Sequence, residues 1–203
     1  MKIVCVGRNY RLHAQELGNE VPQEPIFFIK PDSAVFRPGE HFYYPDFSRE
    51  IHYECEVFFR ICKDAKFVSE AFAPSYVDGY GLGVDFTARD VQNRLKEKGL
   101  PWEIAKAFHQ SAFVSDVLPL TSFTRAGQIA FSFKKNGITV QSGSTADMIF
   151  DLKTLIVQAT KYFVLRAGDL LFTGTPSGVG PVERGDRLEG FIGDQKLVDF
   201  YVR

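Results

Sequence analysis

The 203 residues fit one domain, and 24 Lys and Arg against 25 Asp and Glu leave a net charge of −1. That balance gives no basic surface for nucleic acid and no basic amphipathic helix for a membrane. No run reaches a transmembrane length or reads as a secretory signal, and three cysteines without a C-x-x-C pair point to reduced thiols in a cytoplasmic setting.

Taken along the chain, Lys2 to Val6 reads as a buried strand, and Asn9 to Leu17 as a short helix closed by Gly18. Five prolines from Pro22 to Pro45 punctuate a region of loops and short strands. Ile51 to Ile61 alternates strictly. One face carries Ile51, Tyr53, Cys55, Val57, Phe59 and Ile61, and the other His52, Glu54, Glu56, Phe58 and Arg60. Tyr76 to Phe86 is a second, Gly-rich strand. A helix follows, with Thr87 as its cap, Asp90 as the acidic partner, a stripe of Ala88, Val91 and Leu95, and a stop at Gly99-Leu100-Pro101. Strands are expected at 129–134 and 138–141, a helix from about Ser144 to Tyr162, and strands at 170–173, 187–191 and 198–202. Strands dominate without alternating with helices, so a mainly β fold with short helices is expected and a doubly wound sheet is not. The abundance of aromatics, 20 Phe and 8 Tyr, favours the same class. Cys5, Cys55 and Cys62 read as buried small hydrophobes.

Glu54 and Glu56 share one strand face, their Cα atoms about 6.6 Å apart. Both ionised and partly buried, they repel by roughly 2–3 kcal/mol at an effective dielectric near 20. A cation between them removes that cost, whereas an isolated E-x-E alone fits a solvated edge-strand face. Asp85, at the end of the Gly-rich strand, supplies a third carboxylate. Three carboxylates with no Cys or His cluster make an all-oxygen site suited to Mg²⁺, Mn²⁺ or Ca²⁺, with coordination positions left open for catalysis. Arg89 and Gln92 share a helix face one turn beyond Asp85. Lys106 follows the Trp102 segment. His13 and Glu16, also three apart, can pair as a carboxylate-oriented base. His41 and His52 read as structural or exposed, and His109 is unassigned. Gly79-x-Gly81-x-Gly83 lies within a strand and is no dinucleotide fingerprint. The run 174–180 lacks the Lys-Ser/Thr of a phosphate loop, and no G-x-S-x-G is present.

Five ordered segments, collinear from residue 3 to near the C-terminus, carry a resemblance. They are Gly7-Arg8-Asn9-Tyr10 with His13 and Glu16; His52-Tyr53-Glu54-Cys55-Glu56; Asp85 to Gln92; Gly99-Leu100-Pro101-Trp102 with Lys106; and Phe172 to Gly180. Together they resemble the fumarylacetoacetate hydrolase superfamily, and within it the short, single-domain acylpyruvase and oxaloacetate decarboxylase branch. The resemblance implies a mixed β-sandwich roll over residues 1–203, a homodimer, and a lid at about 9–24. It implies Glu54, Glu56 and Asp85 as ligands of Mg²⁺ or Mn²⁺, with His13, Glu16 and Lys106 as catalytic residues. Arg8, Arg89, Gln92 and Thr175 would hold a small 2-oxo acid. Hydrolysis of an acylpyruvate and decarboxylation of oxaloacetate share a pyruvate enolate. Alternatives are a 2-hydroxyhepta-2,4-diene-1,7-dioate-type isomerase, an oxaloacetate tautomerase, or a non-catalytic oxo-acid binder. One departure is Ala107-Phe108-His109, where many members carry an acidic residue soon after the lysine.

Overall fold

The structure, a computed structural model, describes residues 1–18, 20–120 and 128–203. The chain opens with β1 (Lys2–Gly7), α1 (Arg11–Glu16), β2 (Ile26–Pro31) and β3 (Val35–Phe36). It continues through β4 (Ile51–Tyr53), β5 (Cys55–Ile61), β6 (Val77–Asp85), β7 (Thr87–Ala88), α2 (Arg89–Glu97) and α3 (Glu103–Lys106). Then come β8 (Ala112–Val114), β9 (Leu118–Pro119), β10 (Ala130–Lys135), β11 (Ile138–Ser144) and α4 (Leu152–Tyr162). It closes with β12 (Leu170–Phe172), β13 (Gly180–Pro181), β14 (Arg187–Ile192) and β15 (Gln195–Tyr201). The fold is mainly β, as the sequence predicts.

Among the described residues three sheets form. The largest has the order β2-β1-β12-β5-β6-β8-β3, with β9 also on β6. It is mixed: β1 with β12 and β3 with β8 run parallel, and its other pairs antiparallel. A second sheet has the order β11-β10-β14-β15, and a third β13-β4-β7. The phenylalanines fill the space these sheets enclose. Phe36, Phe42, Phe86, Phe113 and Phe200 are fully buried, with Phe42 stacked on Phe86 at 4.0 Å between ring centroids. Each such ring contributes about 1.5–3 kcal/mol by leaving water.

The eleven-residue strand predicted at 51–61 is two strands. Ile51–Tyr53 pairs with β7 and β13 in the small sheet, while Cys55–Ile61 pairs with β6 and β12 in the large one. Side-chain parity survives the junction, so the sequence pattern does not register it. Glu54 sits at the junction, outside both strands. Neither β5 face is solvated, since Glu56 and Phe58 are as buried as Cys55 and Val57. The edge-strand reading therefore fails.

Two helix boundaries also differ from expectation. Thr87 does not cap α2. It lies in β7, and its hydroxyl serves Glu54 and Lys106. Asp90 accepts instead from Ser48 Oγ at 2.6 Å and from the Arg49 and Val91 amides. The helix expected from Ser144 begins only at Leu152, where Asp151 caps it by accepting from the Thr154 amide at 2.8 Å. Upstream, Asn9 Oδ1 accepts the Phe150 amide at 2.8 Å, which ties residues 148–150 to the end of β1. Cys5 and Cys55 are buried, but Cys62 is only half-buried, so it departs from the buried-hydrophobe reading. No helix among the described residues is long and apolar enough to cross a membrane.

Candidate functional site

The junction between β4 and β5 creates the site. Glu54 leaves the strand path there, Glu56 follows on β5, and Asp85 ends the neighbouring β6. The Asp85 amide donates to the Glu54 carbonyl at 2.8 Å, which fixes their separation. One carboxylate oxygen from each of Glu54, Glu56 and Asp85 lies within 4.8 Å of the others, and all three residues are buried.

Three buried cations face these three acids. Lys106 spends its protons on Glu54 Oε2 at 2.9 Å, Asp85 Oδ2 at 2.7 Å and Thr87 Oγ1 at 2.5 Å. Arg89 donates to Glu54 Oε1 at 2.6 Å and to Gln92 Oε1 at 2.6 Å. Lys30, from the edge strand β2, is fully buried and donates to the carbonyls of Phe86, Lys106 and Ser111. Its ammonium nevertheless lies 2.7 Å from Asp85 Oδ1. Lys30 is thus the buried ionic partner of Asp85 Oδ1, as Lys106 is of Asp85 Oδ2.

The carboxyls respond differently to this field. Burial opposes ionisation of Glu54, but the Lys106 and Arg89 charges outweigh it and hold the carboxyl well below the usual range. For Glu56, burial and then the Asp85 and Glu54 charges push the carboxyl well above it. The Gly174 amide, donating to Glu56 Oε2 at 2.7 Å, only partly offsets this. Burial lowers the Lys106 ammonium, yet Asp85 and Glu54 outweigh it, and its pKa is raised. Burial wins at Lys30, whose pKa is lowered despite Asp85.

Three buried carboxyls whose oxygens lie within 4.8 Å of one another, one of them driven toward its neutral form by burial and by the charges of the other two, fit a divalent cation between them. The donor set is all oxygen and suits a hard divalent ion. The residues present therefore fit the metal that the sequence resemblance implies.

A cleft with about 40 Å³ of open space runs over the triad. Of the residues singled out from sequence, Arg8, His13, Glu54, Glu56, Asp85, Arg89, Gln92, Lys106 and Thr175 line it. Glu16 does not. It acts through His13, with its Oε2 3.3 Å from His13 Nδ1, and it accepts the Gly178 amide at 3.0 Å. Gly178 has φ +95°, and a side chain there would collide with the Val140 carbonyl, so the anchor for Glu16 requires glycine. The segment expected as a lid includes residue 19, outside the described residues. Its described part packs α1 on the 174–180 loop through that same contact.

Four residues at or beside the site were given no site role by the sequence reading: Lys30, Thr87, Lys96 and Gln141. Lys96 lines the cleft on the same α2 face as Arg89 and Gln92. Gln141 is buried, accepts the Cys55 amide at 3.0 Å and donates to Thr175 Oγ1 at 2.8 Å and to the Pro176 carbonyl at 3.0 Å. A lone lysine in an apolar strand and a mid-strand glutamine carry no motif, so only their surroundings reveal them. His52 is half-buried and receives Arg89 Nε at 3.4 Å, and His109 is exposed and lines no part of the cleft.

Comparisons with known proteins show the family of the chain. The family model described as fumarylacetoacetate (FAA) hydrolase C-terminal matches residues 2–199. The oxaloacetate tautomerase FAHD1 of Bos taurus is 42% identical over 190 residues, 94% of this chain and 86% of that protein. The oxaloacetate tautomerase YcgM of Escherichia coli K12 is 42% identical over 188 residues, 92% and 86% of the two chains. The crystal structure of fumarylpyruvate hydrolase from Pseudomonas aeruginosa, in complex with Mn²⁺ and pyruvate, is 38% identical with a TM-score of 0.93. That likeness covers 100% of this chain and 89% of the other. The chain belongs to the fumarylacetoacetate hydrolase C-terminal family.

Proposed function

We propose that this chain is a Mg²⁺- or Mn²⁺-dependent enzyme that forms and reprotonates the enolate of a small 2-oxo acid, with keto–enol interconversion of oxaloacetate as its reaction. The observation that carries the reading is the Glu54–Glu56–Asp85 cluster, ringed by Lys106 and Arg89 and overlooked by His13. The names of the relatives in cattle and E. coli favour tautomerisation.

Glu54, Glu56 and Asp85 would hold the ion, which when bound supplies Lewis acidity to the oxo and carboxylate oxygens. Arg89, Gln92 and Thr175 bind and orient the acid. Lys106 adds positive charge where the C2 oxygen gains electrons. Glu16 faces His13 Nδ1, which leaves Nε2 free to take a proton. In the keto-to-enol direction the C3–H bond breaks and its proton goes to His13, and the imidazolium then gives that proton, relayed through water, to the C2 oxygen, where the O–H bond forms, so His13 and the water end as they began. The substrate's atoms and charge are unchanged.

Acylpyruvate hydrolysis is the second reading, favoured by the His13–Glu16 pair, which equally suits activation of water, and by the likeness to fumarylpyruvate hydrolase. Decarboxylation of oxaloacetate would use the same enolate without a strong base. We place the enzyme in the cytoplasm as a homodimer, following the two-fold habit of soluble chains, with residues 9–24 ordering over bound substrate.

Turnover of oxaloacetate and acetylpyruvate side by side in His13→Ala separates the roles. Tautomerisation and hydrolysis should fall by about 10²–10⁴-fold, the worth of a general base, with decarboxylation falling less. Equal losses in all three reactions would count against His13 as the base.

A further inference from the structure

The cleft holds more positive charge than its carboxylates use. Arg89 and Lys106 direct their protons at Glu54, Asp85 and their neighbours. Arg8 and Lys96 line the same cleft, yet among the described residues neither is paired with a carboxylate. Lys96 is half-buried and lies over the Trp102 ring, 5.5 Å from its centroid, so its stem is held beside the cleft rather than free in solvent. Arg8 turns off the end of β1 at φ +59°, a left-handed conformation that non-glycine residues seldom adopt. Strain of that kind gathers at functional sites. Burial, and then the charges of Arg89, Arg8 and Lys106, push the Lys96 ammonium down to about 8. Most of it remains charged at neutral pH, in a place where the Arg89, Arg8 and Lys106 charges outweigh that of Glu54.

We propose that Arg8 and Lys96 form a second anion-binding pole, which receives the distal carboxylate of a 2-oxo dicarboxylic acid. Lys96 is thereby the specificity-determining residue that sets such acids above 2-oxo acids with neutral ends. This rests on the functional reading above and narrows it. The cations of the inner pole, Lys106, Arg89 and Lys30, are already directed at Glu54 and Asp85. With the ion, this pole takes the 2-oxo carboxylate end. The outer pole has two uncompensated positive charges and takes the far end. A substrate with both ends negative satisfies both poles, whereas an acylpyruvate with a methyl terminus leaves the outer one unpaired.

The test uses 2-oxoglutarate and 2-oxopentanoate, which differ by a terminal carboxylate against a methyl. Their binding to the Mn²⁺-loaded full chain is measured by calorimetry, alongside kcat/KM for oxaloacetate and acetylpyruvate. The wild type should prefer the dicarboxylate by at least about tenfold, the size of one charge-assisted hydrogen bond. Lys96→Met should erase that preference and raise the KM for oxaloacetate more than that for acetylpyruvate, and Lys96→Arg should restore both. A Lys96→Met protein with the wild-type preference overturns the proposal, as does a wild type with no preference. In either case, binding of both oxo acids leaves the functional reading standing. A wild type that binds neither acid and turns over neither substrate sinks that reading, and this proposal with it.

Discussion

Lys30 is the residue on which the charge balance of the site turns. A fully buried lysine is costly unless a counter-charge stays with it, and here Asp85 at 2.7 Å is that charge. Deleting one partner of such a pair leaves the other charge buried and unpaired. Lys30→Met should therefore destabilise the fold by about 3–5 kcal/mol, read from the denaturant midpoint. A midpoint unchanged within error would show that Asp85 does not depend on it. Glu54, Glu56, Asp85, Arg89 and Lys106 were legible together, because they stand in ordered motifs that no single residue carries alone. Lys30 was not, since a lysine in a strand usually points to water, and its three carbonyl partners are 56 to 81 residues away.

At the scale of elements, the site depends on how β5 is finished. β12 supplies only three residues, so the Cys55 end of β5 outlasts its partner on that side. Side chains complete the ladder: Thr175 Oγ1 donates to the Cys55 carbonyl at 2.8 Å and Gln141 accepts the Cys55 amide. Gln141 thus joins β11 of the second sheet to the strand that carries Glu56 and to the 174–180 loop. Gln141→Met should speed hydrogen exchange at the Cys55 amide, leave Phe58 to Arg60 protected, and lower kcat/KM by about tenfold or more. Unchanged exchange at Cys55 would contradict this role. Alternation along 51–61 revealed a strand but not its division between two sheets. Pairing partners, unlike side-chain parity, are chosen by distant chain segments. β2 was hidden for a related reason: its apolar run lies among prolines and lacks alternation. A second joint ties the starts of β1 and β12. Burial raises the Asp169 carboxyl, but the Lys2 ammonium and the Arg166 and Lys2 amides outweigh it and hold it low. A depressed carboxyl contributes stability above its unfolded pKa and loses it as pH falls through the folded value. Asp169→Asn should therefore flatten the acid limb of the stability curve below about pH 4. An unaltered limb would remove Asp169 from the account.

For the whole molecule, three sheets meet so that one strand junction, one strand end and one helix face converge on a single cleft. The likeness to a Mn²⁺- and pyruvate-bound fumarylpyruvate hydrolase extends over the full length of the chain. The β-rich class and the order of the motifs were readable from composition and alternation. The convergence was not, because it depends on contacts between residues far apart in sequence, such as Gly174 with Glu56 and Gly178 with Glu16. The central claim is that the three carboxylates hold an ion that the reaction uses. The most direct test is to follow decay of the oxaloacetate enol absorbance with Mn²⁺ and with EDTA, in the wild type and in Glu54→Ala. The account predicts fast decay that needs Mn²⁺, falls to the uncatalysed rate in EDTA, and is absent from Glu54→Ala at any Mn²⁺ concentration. Decay that is equally fast in EDTA, or that survives in Glu54→Ala, would contradict it.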